Sequence, residues 1–159
     1  MYGIAGGSGY GQKGGGANLL CLPHNPQHLS YNWNNPGGTH ISPVEYETSQ
    51  GPLNRGLHQH NMPCAVCETS RSKLYMFPGL HNCPSGWTEE YDGYLMSTHH
   101  NNYRGEFVCV DEHATYVPGS RDHTHNAHDL YFVEPHCDVF PCPPYHDRKE
   151  LACVVCTKI

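Results

Sequence analysis

Apolar positions in this chain fall in short runs, not at helical intervals. Residues 19–22 (Leu-Leu-Cys-Leu), 73–78 (Lys-Leu-Tyr-Met-Phe-Pro), 106–110 (Glu-Phe-Val-Cys-Val), 130–134 (Leu-Tyr-Phe-Val-Glu) and 150–155 (Glu-Leu-Ala-Cys-Val-Val) are β-branched, aromatic or aliphatic stretches with turn-forming residues nearby. Residues 83–98 take on strand character toward their end. No segment sustains the i, i+3, i+4 spacing of an amphipathic helix. Between the runs lie PHNPQH, NWNNPGG and SPVEYETS, which read as turn-rich pieces flanking short extended segments, and residues 118–129 (PGSRDHTHNAHD) read as a polar loop. The pattern predicts an all-β protein with long loops.

The runs repeat. Cys21 stands 43 residues before Cys64, and Cys64-Ala-Val-Cys67 closes the first half. Cys109 stands 44 residues before Cys153, and Cys153-Val-Val-Cys156 closes the second. Gly3 to Cys21 aligns with Gly93 to Cys109, which turns the Gly-rich start of the chain into strand-turn-strand sequence. Its glycines do not recur at every third position, so no collagen triple helix is written there. These spacings point to an internal duplication. The expected architecture is a tandem pseudo-repeat of two cysteine-stapled β subdomains, residues 1–72 and 73–159.

Composition bears on what such a chain does. The 159 residues include 37% hydrophobic positions, a thin supply for a core, and nine cysteines. A small chain of this kind is expected to need covalent staples. Disulfides imply export, although residues 1–20 lack the basic start and apolar centre of a signal peptide. No stretch is apolar enough to span a bilayer. A formal charge of −6 argues against nucleic acid as a partner, because phosphate recognition needs a basic surface.

The two Cys-x-x-Cys motifs admit three readings. Four thiolates make a zinc site, but the pairs are 86 residues apart, whereas fingers and ribbons use short spacings. A thioredoxin-like redox pair opens a helix, whereas both motifs lie in or after strand-like sequence. Structural disulfides are the third reading and the favoured one. The 14 histidines include the groups His58/His60, His99/His100 and His123/His125/His128. Histidines at i and i+2 of an extended segment project to one side, which suits a metal ion or a mineral surface. Solvated loop side chains are the plainer reading, since the neighbours are Asn, Thr, Asp and Gly. No cofactor is otherwise implied. Hydrolase, phosphate-loop and zinc-protease motifs are absent, as are Arg-Gly-Asp and Asn-x-Ser/Thr. The carboxylates Glu89, Glu90, Asp92, Asp111 and Glu112 could supply acid–base chemistry, but adjacent strand residues face opposite ways. The expectation is therefore a protein without enzymatic activity.

The second half carries six cysteines, Cys83, Cys109, Cys137, Cys142, Cys153 and Cys156. It opens as Cys83-Pro-Ser-Gly-Trp87, followed by Tyr91-Asp-Gly-Tyr94, and closes as Cys-x-Val-Cys. This resembles the carboxy-terminal non-collagenous domain of type IV collagen, a tandem repeat with six cysteines per copy, a Cys-Pro-x-Gly-Trp opening and a Cys-x-Val-Cys close. The stretch from Cys64-Ala-Val-Cys67-Glu68 to Trp87 is similar to the junction between those repeats. GGGANLLCLPHNPQ, MPCAVC, YFVE and PCPPY…ELACVVC are similar to the short-chain, spongin-like collagens of sponges and other simple invertebrates. The resemblance covers nearly the whole chain.

What it implies is nested pairing, first cysteine with sixth, second with fifth and third with fourth: Cys83–Cys156, Cys109–Cys153 and Cys137–Cys142, with Cys21–Cys64 as the second-to-fifth pair of the first copy. Cys67 is then left over, its partner expected in preceding sequence or in another chain. Trp87, Tyr94, Phe107, Tyr131 and Phe132 are the expected core. The resemblance further implies a secreted protein of the extracellular matrix that assembles with itself, as a trimer or higher oligomer, and with other matrix proteins. The histidines add silica to the expected partners. A secreted bivalent binding module, such as a lectin using both copies, is the competing expectation.

Overall fold

The computed structural model describes residues 1–30, 37–121 and 126–159. Nine strands carry the fold: β1 (Tyr2–Gly7), β2 (Leu20–Pro23), β3 (Ser42–Tyr46), β4 (Pro63–Ala65), β5 (Lys73–Pro78), β6 (Thr88–Ser97), β7 (Val108–Asp111), β8 (His128–Phe132) and β9 (Ala152–Lys158). A single 3-10 turn, Arg55–Leu57, capped by the Asn54 side chain, is the helical element described. The strands form one curled sheet in the order β2-β1-β3-β8-β6-β9-β5, with β4 added to β1 and β7 added to β6. The protein is all-β.

The curl has a local cause. Gly3 and Ile4 of β1 pair with β2 on one side and with β4 on the other. In a flat sheet the strands flanking β1 would stand about 10 Å apart, yet the Cα atoms of Cys21 on β2 and Cys64 on β4 are 5.6 Å apart. The flanking strands close over Gly3, where a Cβ would collide with the Leu22 carbonyl. A similar local geometry surrounds Gly93. Gly93 of β6 pairs with Asp111 of β7 and with Cys153 of β9. Cys109 and Cys153 bridge at a Cα separation of 5.7 Å, and a Cβ on Gly93 would collide with the Val110 carbonyl. Backbone hydrogen bonds match too. Ala5 N–H donates to Met62 O (3.0 Å) and Met62 N–H to Val44 O (2.8 Å). Their counterparts are Leu95 N–H to Leu151 O (2.9 Å) and Leu151 N–H to Val133 O (2.9 Å).

Eight cysteines form four bridges, Cys21–Cys64, Cys83–Cys156, Cys109–Cys153 and Cys137–Cys142. Cys67 is a free, exposed thiol. Cys153 and Cys156 lie three residues apart on β9 and therefore face opposite sides of it, which sends them to different partners. β9 is flanked by β6 and β5, so Cys153 to Thr157 are all buried. On the loop-entropy account each long-loop bridge stabilises by about 4 kcal/mol, comparable with much of the net stability of a small domain.

The halves join through β3 and β8, a parallel pair in which Val44, Glu45 and Tyr46 stand beside His128, Asp129 and Leu130. One apolar cluster spans the junction, built on Val44, Tyr46, Leu53, Leu57, Met96 and Leu130. Tyr94 and Phe132 pack against it edge-to-face, with ring centroids 5.6 Å apart. The expected core thus needs correction at three places. Phe107 is 60% exposed, because it precedes β7 and is not held within it. Trp87 is half-buried, set edge-to-face on Phe77 with the Lys158 ammonium over its ring. Tyr131 is half-buried and lines a cleft. The expected polar loop at 118–129 ends early, since His128 and Asp129 belong to β8.

Candidate functional site

Strand alternation at the junction sorts polar from apolar side chains. Val44, Tyr46, His128 and Leu130 are 0–2% exposed. Glu45, Asp129 and Tyr131 take the opposite face of β3 and β8. Glu47 continues that face just past β3, where its N–H donates to Leu130 O at 2.9 Å. Carboxylates so close raise one another's proton affinity. The Asp129 carboxyl is pushed up to about 7, first by burial and then by Glu47 and Glu45. Burial raises Glu47 as well, opposed by His58, whose Nδ1 lies 3.3 Å from Glu47 Oε2. The Tyr131 phenol is pushed up to about 12 by burial and by the charges of Glu47 and Asp129.

This face opens into a cleft of about 1030 Å³. Glu47 and the loop Ser49–Gly51 form one part of its lining. The segment from Ser97 to Phe107 contributes His99, His100, Asn102 and Arg104, and residues 131–136 contribute Tyr131, Phe132, Glu134 and His136. The His99 ring packs on His100 (4.0 Å between centroids) and on Tyr131 (4.8 Å). Gly51 is required beside Phe132, where a Cβ would run into the ring. The cleft draws residues from both halves of the chain.

The histidine groups do not act as units. His99 and His100 enter the cleft together. His58 and His60 diverge, contrary to the extended segment expected there. His58 caps the 3-10 turn and Gln59 has φ 61°, so the chain reverses between the two rings. His58 reaches Glu47, while His60 is buried against Tyr116 at 4.2 Å. His128 lies in the core, where Nδ1–H donates to Ser8 O at 2.7 Å and Nε2 is buried without a partner. A Cβ on Gly7 would come within 2.8 Å of the His128 ring and one on Gly105 within 3.1 Å, so both glycines make room for it. His123 and His125 lie outside the described residues. Among the described residues no group of three or more His, Cys, Asp or Glu side chains is placed to hold a metal ion.

The carboxylates singled out from sequence lie apart from the cleft. Glu90 sits at a register shift in β6, where its Oε1 accepts from Arg71 at 3.2 Å and from the Thr157 hydroxyl. Asp111 and Glu112 lie at the end of β7 and just beyond it. The cleft residues Glu47 and Tyr131, and Asp129 on the same strand face, carried no motif. Their signal was the period-two placement of Glu45/Glu47 and Asp129/Tyr131 in two short strands, visible once β3 and β8 are known to pair.

No known protein family and no solved structure matches this chain. Among the described residues no helix is long and apolar enough to cross a membrane. Four disulfides are consistent with a secreted protein folded in an oxidising compartment.

Proposed function

We propose that this is an extracellular structural protein that assembles with itself into a matrix, network or filament. The observation that carries this reading is the edge strand β5. It is the last strand of the sheet order and pairs with β9 alone among the described residues, which leaves its other backbone edge open. Leu74 is 66% and Tyr75 56% exposed on it, and Lys73 is its one charged residue. Exposed apolar edges of this kind are templates for strand addition; soluble monomers usually protect them with charge, bulges or Pro, and on β5 Lys73 and Pro78 stand only at the two ends, leaving Leu74 to Phe77 between them. Support also comes from the resemblance to non-collagenous collagen domains and from the matched geometry around Gly3 and Gly93, which we read as a duplicated unit. The exposed Cys67 thiol offers a covalent link between chains.

The test is sedimentation equilibrium of the oxidised protein across a wide concentration range, beside Tyr75→Lys, which charges the edge. Concentration-dependent association that the substitution weakens by tenfold or more is the expected result (about 1.4 kcal/mol per tenfold). A wild-type chain that stays monomeric at every concentration removes the assembly reading.

A further inference from the structure

The cleft at the β3–β8 junction has a chemistry of its own, independent of assembly through β5. We infer that it is a binding site for an extended cationic segment of another protein, one that presents Lys or Arg side chains. Three observations converge on that class of ligand. The cavity is a formed cleft of about 1030 Å³, large enough to take several residues of a peptide. Its lining includes aromatic surface that the core does not use: Phe107 is 60% exposed, and the half-buried Tyr131 ring lies against His99. Rings of this kind attract ammonium and guanidinium groups through their negative faces.

Charge supplies the third observation. Glu47, Glu134 and Glu150 line the cleft against Arg104, the one Lys or Arg among its described lining residues. Asp129 stands behind Glu47 on the same face. Its carboxyl is pushed up to about 7 by burial first and by Glu47 and Glu45 next, so it adds a further negative charge behind that wall only above neutral pH. An anionic ligand is repelled by this lining. A neutral ligand leaves the excess charge uncompensated, whereas a cationic segment complements both the charge and the rings.

The experiment uses the intact oxidised protein, with fluorescence anisotropy of a labelled alternating Lys-Ser peptide. A Glu-Ser peptide and a neutral oligosaccharide serve as comparisons. The Lys-Ser peptide is expected to bind, with affinity falling as salt is added. Glu134→Gln and Phe107→Ala each weaken it about two- to fivefold, and Arg104→Ala strengthens it by a similar factor. The Glu134, Arg104 and Phe107 side chains are exposed, so all three variants keep the fold, which far-ultraviolet circular dichroism verifies. Equal binding of the Glu-Ser peptide, salt-independent binding of the oligosaccharide in place of the Lys-Ser peptide, binding that ignores all three substitutions, or no binding at low salt would each overturn the proposal.

Discussion

Glu45 and Asp129 stand side by side on parallel strands, and Glu45 is 3% exposed. Folding therefore brings two carboxylates together at the seam that joins the halves of the molecule, with Glu47 beside them. The Asp129 carboxyl rises from its ordinary value of 3.8 to about 7, by burial first and by Glu47 and Glu45 next. A raised folded-state value means that the native protein binds this proton more tightly than the unfolded chain does. The associated stability is fully present below about pH 4 and is lost as the pH climbs through about 7. Asp129→Asn should remove that loss. Because water reaches part of the side chain, the gain at pH 8 is set at about 1 kcal/mol, well below the face value of the shift. Urea midpoints at pH 5 and pH 8 measure it. If wild type and variant keep the same pH trend, Asp129 is not the group responsible.

Gly3 and Gly93 occupy matching places, each on a strand whose two neighbours are bridged over it. In each case the obstacle to a Cβ is a backbone carbonyl, which cannot swing aside as a side chain can. Gly3→Ala and Gly93→Ala should each cost about 1–3 kcal/mol, the range for overpacking a closed site. Gly38→Ala meets nothing within 4 Å and serves as the comparison, with little change expected. Thermal melts of the three variants decide the matter, and an unchanged melting temperature for Gly93→Ala would show that β7 is free to move away.

Much of this fold was legible because a strand with one buried face writes its pattern locally. The apolar runs at 73–78, 106–110, 130–134 and 150–155 overlap β5, β7, β8 and β9, and the four bridges in the structure are the pairs that the collagen resemblance implies. Central core residues were hidden. Val44 and Tyr46 lie in SPVEYETS, where Pro43, Glu45 and Glu47 give the look of a turn-rich piece. Glu45 is buried all the same, at 3% exposure. His128 and Asp129 looked like the end of a polar loop, since a strand with a polar face has few apolar positions to announce it. The cleft depends on the parallel pairing of β3 with β8 across more than 80 residues, and no local spacing encodes a contact of that range. Phe107 misled for the opposite reason: it is an aromatic residue left in solvent, a common occurrence on protein surfaces.

The histidines divide into structural and exposed members, and substitution should separate them. His128 is 2% exposed and ties β8 to the Ser8 carbonyl after β1. His128→Ala leaves a cavity between Gly7 and Gly105 and strands that carbonyl, at a cost of about 2–4 kcal/mol. His100→Ala is at the surface and should fall within about 0.5 kcal/mol of wild type. Equilibrium unfolding gives both numbers. A mild effect at His128 would mean that its buried Nε2, which has no hydrogen-bond partner, already offsets most of what the ring contributes.

The bridges should differ in worth according to the loops they close. Cys83–Cys156 spans 73 residues and Cys109–Cys153 spans 44, whereas Cys137–Cys142 spans 5. On the loop-entropy account, removing either long-range bridge by paired Ala substitution costs about 4 kcal/mol, and removing the short one about 2 kcal/mol. The position of Cys153 sharpens the contrast, because it is 0% exposed and sits between β6 and β5, so the cavity left by its sulfur adds to the lost constraint. Cys137 and Cys142 lie in a solvent-facing loop beyond β8, where little packing is lost with them. Urea unfolding of the Cys109→Ala/Cys153→Ala and Cys137→Ala/Cys142→Ala variants under oxidising conditions tests the order. Equal destabilisation would show that the long bridge adds nothing that the β6–β9 pairing does not already hold in place.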